Sequence, residues 1–331
     1  MRVVFFGTPA FAVPSLDAVL AESEIVAVVT RPDRPRGRGL AVEPSPVASA
    51  AHQYALDVRK PESLRDPAVV QALLALSPDL LVAVAYGRFL PARLLAMPPL
   101  GGINLHPSLL PRYRGAAPIP RAVEAGESET GVTVLHLSDE MDAGDLILQR
   151  RVPIDPDDTS RTLEPRLARE GAALLAEAVR LLDAGRAPRR PQDSALATFA
   201  PKLTREEALI RWGEPAARIV NRIRAFDPWP VAYTLRGGEA LRVWRASALP
   251  RSPDGARSAP GTVLAVPQPP NAALLVAAGD GVVALHEVQP ASGRRMSAAD
   301  YVRGRPLPAG SVLGEAPARP SAPPGPAPRR K

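Results

Sequence analysis

Short apolar runs alternate along the first half of the chain with stretches in which apolar residues recur every three or four positions. Residues 3–6, 25–30, 80–85, 102–106 and 132–137 read as buried strands. Residues 11–21, 67–76 and 162–184 carry the helical period. Strands alternating with helices predict an α/β domain with an open, mostly parallel sheet over residues 1–185. Periodicity is lost over 186–205, where Ala187-Pro188-Arg189-Arg190-Pro191 reads as a linker. A short helical piece at 215–226 follows. Apolar runs at 240–246, 261–266, 273–277 and 282–288, separated by proline and glycine, then predict a small β-barrel over 206–314. Residues 315–331 are Pro, Ala, Gly, Ser and Arg with almost no large apolar side chain, and are expected to be a disordered tail.

Composition narrows the chemistry. Apolar residues make up 46% of the 331, enough for a core in each domain. No cysteine is present, which removes disulfides, thiolate nucleophiles and cysteine metal sites. The histidines stand at 52, 106, 136 and 286, none with a second histidine at i+4, so no metal is expected. Gly7-Thr8-Pro9-Ala10-Phe11 closes the first strand without the G-x-G-x-x-G spacing, which argues against a nicotinamide or flavin cofactor. The opening apolar run is too short for a signal peptide and no run is long enough to span a membrane, so a cytoplasmic location is expected. The net charge of +7 permits anionic partners, and part of it lies in the tail at Arg319, Arg329, Arg330 and Lys331.

The densest chemical signal is residues 101–118. Asn104 and His106 are two apart on a strand and so project from one face, at the strand end where open α/β sheets place their sites. Pro107 and Pro111 then impose an extended path that leaves backbone groups free to face a ligand. An amide donor beside an imidazole suits acyl transfer, in which fixed donors stabilise a developing oxyanion. Downstream, Asp139, Glu140, Asp142 and Asp145 form an acidic loop that can orient the histidine. The residue types alone do not choose among these carboxylates.

Asn104-Leu105-His106-Pro107-Ser108-Leu109-Leu110-Pro111, Arg114-Gly115 and Asp142-Ala143-Gly144-Asp145 together resemble the signature of formyltetrahydrofolate-dependent formyltransferases. The resemblance implies that Asn104, His106 and Asp142 are catalytic and that Ser108, Leu109, Leu110 and Pro111 line the site of the co-substrate, 10-formyltetrahydrofolate. Tyr86, Gly87 and Phe89 are expected beside the pterin. Residues 6–11, 84–87, 114–119, 224–230, 288–290 and Gly304 are similar to the branch of the family that acts on initiator methionyl-tRNA. That branch implies a Rossmann-like first domain, an OB-like, tRNA-binding second domain and a monomer.

Residues 31–39 hold Arg31, Arg34, Arg36 and Arg38 among prolines and glycines, which are expected to keep the segment out of helix and strand. Guanidinium groups bind phosphate and stack on bases, so Arg34, Arg36 and Arg38 are the candidate tRNA contacts. Two positions depart from the family pattern. Leu40-Ala41 stands where lysines often follow the loop, and Arg211 precedes Trp212 where an acidic residue is frequent. The alternatives are a formyltransferase acting on glycinamide ribonucleotide or an amino sugar, a formyl-folate hydrolase, and a noncatalytic RNA-binding protein. The first three lack a need for the arginine segment, and the last has no use for Asn104, His106 and Asp142.

Overall fold

The computed structural model describes residues 1–36, 41–250, 258–266 and 273–314, which form one unit over Met1–Leu203 and a second beginning at Thr204. The first unit opens with β1 (Arg2–Gly7), α1 (Val13–Glu22) and β2 (Glu24–Val29). A two-stranded ribbon, β3 (Arg34–Arg36) with β4 (Ala41–Glu43), leads into α2 (Pro46–Gln53), β5 (Val58–Arg59) and α3 (Pro67–Leu74). Next come β6 (Leu80–Val84), α4 (Ala92–Leu95), β7 (Gly102–His106), α5 (Pro118–Ala125), β8 (Glu129–His136), β9 (Leu146–Pro153) and α6 (Ser160–Asp183).

Seven strands make one sheet in the order β5-β2-β1-β6-β7-β8-β9. The first five run parallel, and β8 and β9 are each antiparallel to the strand before. The central parallel strands β1 and β6 are buried on both faces, which is why Val3–Phe6 and Leu80–Val84 are unbroken apolar runs. The order reverses between β1 and β6, and the crevice at such a reversal is where an open α/β sheet takes its ligands. The arginine segment corrects an expectation: residues 34–36 are strand, with Pro35 opposite Val42. A two-stranded ribbon consists only of edges, and an edge strand tolerates a residue without an N–H.

Helix α6 covers β7, and one glycine makes this possible. A Cβ at Gly171 would lie 2.7 Å from the Leu105 side chain, so the helix approaches the strand at glycine distance. The helix start is held by Asp158, which accepts from the Asp155 N–H and the Thr162 hydroxyl, each at 2.9 Å, and pairs closely with Arg166. Burial works to raise the Asp158 carboxyl, but these donors outweigh it and hold the group below the ordinary aspartate range. A depressed carboxylate adds stability above its unfolded pKa and loses it as pH falls through the folded value. Asp158→Asn is therefore expected to cost about 1–2 kcal/mol at neutral pH. The deficit against wild type should shrink below pH ~4 in urea unfolding. An undiminished deficit at pH 3 would rule this account out.

Of the stretch 186–205 expected as a linker, residues up to Leu203 are bonded into the first unit. Leu146 and Arg190 exchange main-chain hydrogen bonds of 2.8 and 3.1 Å. Arg114 N–H donates to Thr198 O at 2.8 Å, and Ala200 N–H donates back to Arg114 O at 2.7 Å. These are isolated bridges and not a strand, so they leave no period in the sequence.

The second unit holds α7 (Ala216–Ala225), β10 (Tyr233–Arg236), β11 (Glu239–Pro250), β12 (Val263–Ala265), β13 (Leu274–Ala277), β14 (Gly281–Pro290), β15 (Met296–Ser297) and α8 (Ala298–Gly304). Its antiparallel sheet runs β10-β11-β14-β13-β12, with β15 also on β14. This is the curled, OB-like sheet expected, open as a half-barrel among the described residues. Ile219, Ile223, Leu241, Leu285 and Val288 fill its core around Trp212, whose indole N–H donates to the buried Thr234 hydroxyl at 2.9 Å.

Candidate active site

The alternation along β7 sorts its side chains by face. Leu105 points at α6, while Asn104 and His106 point to the opposite face. His106 is 4% exposed, and both its nitrogens are engaged. Nε2 lies 2.9 Å from the Tyr113 carbonyl, which can only accept, so Nε2 carries the hydrogen. Nδ1 lies 3.5 Å from Asp142 Oδ2. The Asn104 amide donates to Asp142 Oδ1 at 3.4 Å, and Gly115 N–H donates to Asp142 Oδ2 at 2.9 Å. One carboxylate thus gathers the amide, the imidazole and a backbone N–H.

The route by which Asp142 arrives follows from strand direction. Because β8 is antiparallel to β7, its last residue, His136, pairs with Ile103 at the start of β7. The loop after β8 must therefore double back over the sheet face to reach Asn104 and His106. Two features hold it there. His136 N–H donates to Asp145 O at 2.9 Å, and Gly144 packs so closely that a Cβ would sit 1.9 Å from His136 O. Asp142 itself has φ +54°, a left-handed conformation uncommon outside glycine. His136 is buried, and burial, followed by Arg189, pulls its imidazole below the ordinary histidine range against the pull of Asp145. Asp139 and Glu140 are exposed, and Asp145 pairs with Arg189 at 3.8 Å, so Asp142 is the carboxylate of the four at the imidazole.

The 108–113 segment is held from beneath by Thr133, fully buried on β8. Its hydroxyl donates to Ser108 O at 2.6 Å and accepts from Leu110 N–H at 3.2 Å and from the Gln149 amide at 3.0 Å. Thr133→Val keeps the shape and strands Ser108 O and Leu110 N–H, while the Gln149 amide keeps Leu110 O at 2.8 Å, and it should lower stability by about 2–3 kcal/mol in denaturant unfolding. Ser108 turns its hydroxyl inward to Arg112 O at 2.6 Å, and Leu110 is buried, whereas Leu109 and Pro111 are half-buried. Tyr113, whose carbonyl holds His106, is anchored by its phenol donating to Glu127 at 2.7 Å. Burial and Glu127 push that phenol up to about 12, so the anchor stays protonated.

Tyr86 follows β6, next to β7 in the sheet, and is 3% exposed with its ring edge-on to Phe6. It is mainly a core residue. Gly87 has φ +77°, and a Cβ there would touch the Arg31 guanidinium at 3.6 Å, while Phe89 is 61% exposed. Arg34 and Arg36 lie on β3, and Arg38 falls outside the described residues. Sequence reasoning missed Gln192. Its amide N–H groups donate to Asp142 O and Gly144 O, each at 2.8 Å. Its carbonyl accepts from Arg114 Nε at 3.1 Å and from the terminal nitrogen at 2.7 Å. No group of three or more potential metal ligands occurs among the described residues.

An amide, an imidazole and a carboxylate on one face of a mostly parallel sheet, followed by a curled antiparallel unit, define a transferase of acyl or one-carbon groups. Comparison with known proteins narrows this. Residues 1–179 match the formyl transferase family, and residues 202–306 match the formyl transferase C-terminal domain. A methionyl-tRNA formyltransferase of Moorella thermoacetica is 48% identical over 95% of this chain and 99% of its own length. Its counterpart in Symbiobacterium thermophilum is 47% identical over 98% and 99%. The crystal structure of HypX from Aquifex aeolicus in complex with tetrahydrofolic acid shares the fold, with TM-score 0.58 and 19% identity over 91% of this chain and 47% of that one. The chain belongs to the formyl transferase family, among its methionyl-tRNA formyltransferase relatives.

Proposed function

We propose that this chain is an enzyme that transfers the formyl group of 10-formyltetrahydrofolate to the free amino group of methionine on initiator methionyl-tRNA, in translation initiation. The observation that carries the chemistry is the convergence of Asn104 and His106 on the Asp142 carboxylate. Relatedness over nearly the full length of methionyl-tRNA formyltransferases carries the choice of acceptor.

The methionyl amine, neutral at the moment of attack, adds to the formyl carbon. A C–N bond forms and the formyl oxygen becomes an oxyanion. The Asn104 amide gives one hydrogen to Asp142 and has its second for that oxygen. His106 Nε2–H, held by Tyr113 O in this structure, is exchanged to the oxyanion. Each fixed donor lowers the barrier by about 3 kcal/mol. Asp142 keeps the imidazole oriented and, through a water, takes the proton that the attacking nitrogen sheds. The oxyanion then re-forms the carbonyl, the bond from carbon to N10 breaks, N10 takes the shed proton back from Asp142 through the same water, and tetrahydrofolate leaves. Of the residues expected at the folate site, the half-buried or exposed Leu109, Pro111, Gly87 and Phe89 line it, and the buried Ser108, Leu110 and Tyr86 hold that lining in place. The exposed Phe89 ring and the side-chain-free Gly87 suit a flat heterocycle. Arg34, Arg36 and Arg38 contact the acceptor stem, and the OB-like unit binds the tRNA body. No helix among the described residues is long and apolar enough to cross a membrane. The enzyme acts as a monomer in the cytoplasm.

The test is a formylation assay with 10-formyltetrahydrofolate and methionine-charged initiator tRNA, with uncharged tRNA and glycinamide ribonucleotide as parallel acceptors. Formyl-methionine released from the charged tRNA alone supports the proposal. A formylated nucleotide, or free formate with every acceptor, overturns it.

A further inference from the structure

We propose that Gln192 is a positioning residue for the transfer, setting the Asp142 carboxylate against His106 and Asn104. The inference rests on the reading of those three residues given above. Gln192 lies outside every regular element, in the segment after α6, and its amide joins the two loops that meet at the site. Its two N–H groups donate to the backbone carbonyls of Asp142 and Gly144, each at 2.8 Å. This grips the turn in which Asp142 has φ +54°. Its carbonyl takes the guanidinium of Arg114, a side chain only 8% exposed, through two nitrogens at 3.1 and 2.7 Å. Arg114 precedes Gly115, whose N–H donates to Asp142 Oδ2 at 2.9 Å. Gln192 therefore fixes the carboxylate through its own backbone and through the loop that supplies its backbone donor. No other uncharged side chain offers two donors and an acceptor in this planar geometry except asparagine, which is one carbon shorter.

Two substitutions in the full chain separate placement from scaffold. Gln192→Met keeps length and loses all four hydrogen bonds. Gln192→Glu keeps the acceptor for Arg114 and sets a carboxylate against two carbonyl oxygens. Turnover, KM for each substrate and thermal unfolding are measured for both, for Asp142→Asn, and for the Asp142→Asn, Gln192→Met double variant. Both Gln192 variants are expected to lower kcat on the order of 100-fold with KM little changed, as displacement of a reacting group by about an ångström does. In the Asp142→Asn background Gln192→Met should add little, because both changes remove the same contribution.

A wild-type kcat for Gln192→Glu, with Asp142→Asn inactive, overturns this proposal and leaves the reading of Asp142 standing. A loss carried in KM, full additivity in the double variant, or failure of both Gln192 variants to fold assigns Gln192 to the scaffold and also overturns it. Wild-type turnover by Asp142→Asn instead removes the reading on which the proposal rests.

Discussion

The His106→Ala protein should fold, bind folate and charged tRNA, and turn over about 10³-fold more slowly than wild type. The size of the loss follows from what the ring touches. Its Nε2–H is the donor handed to the oxyanion, and its Nδ1 faces the carboxylate that accounts for the departing proton. Folding survives because the neighbours keep other partners. Asp142 retains Gly115 N–H and the Asn104 amide, and Tyr113 retains Glu127. One part-buried carbonyl, Tyr113 O, loses its donor, a cost of about 1 kcal/mol. Single-turnover formylation with both substrates saturating isolates the chemical step. A rate within tenfold of wild type would remove His106 from the mechanism, and an unfolded variant would make it a structural histidine.

Gly144→Ala should be nearly as damaging by a different route. The added carbon would lie 1.9 Å from the main-chain oxygen of His136, and neither side of that contact is a flexible side chain. Either the end of β8 moves or the acidic loop lifts from the sheet. Moving the strand end disturbs its pairing with Ile103, so the loop is the side that yields. Stability should fall by about 3 kcal/mol. Asp142, two residues away, is displaced with the loop, and kcat should fall roughly 10²-fold. Thermal unfolding and turnover on the same sample check both. Loss of stability with full activity would show that the strand end yields and the loop holds.

The inner parallel strands β1, β2 and β6 were legible because burial on both faces demands unbroken apolar runs, as at Leu80–Val84, whereas β5, two half-buried residues at the sheet edge, was not. Nor was β9. As an edge strand it runs from Leu-Ile-Leu into Gln-Arg-Arg, neither an unbroken apolar run nor a strict alternation, and only Ile147 and Val152 are buried. α5 escaped because Pro118 and Pro120 read as helix breakers, although a proline in the first turn has no hydrogen bond to lose. In the site, Asn104 and His106 could be paired from strand alternation alone. The choice of Asp142 among four carboxylates came from resemblance, and the structure supplies the physical ground, the loop doubling back over the sheet face. Gln192 left no trace, because its partners are backbone carbonyls 50 and 48 residues away in an aperiodic stretch.

The bridges that tie residues 186–203 to the first unit bear on how the molecule can be divided. Cutting after α6, where the helical pattern ends, would leave Asn104, His106 and Asp142 on the fragment. It would also discard Gln192, the partners of Arg114 at Thr198 and Ala200, and the strand-like hold of Arg190 on Leu146. Such a fragment would keep its whole set of reacting groups and lose the brace around them. An excised or transplanted first unit has to run to Leu203, so its smallest working length is set by a coil and not by its last helix.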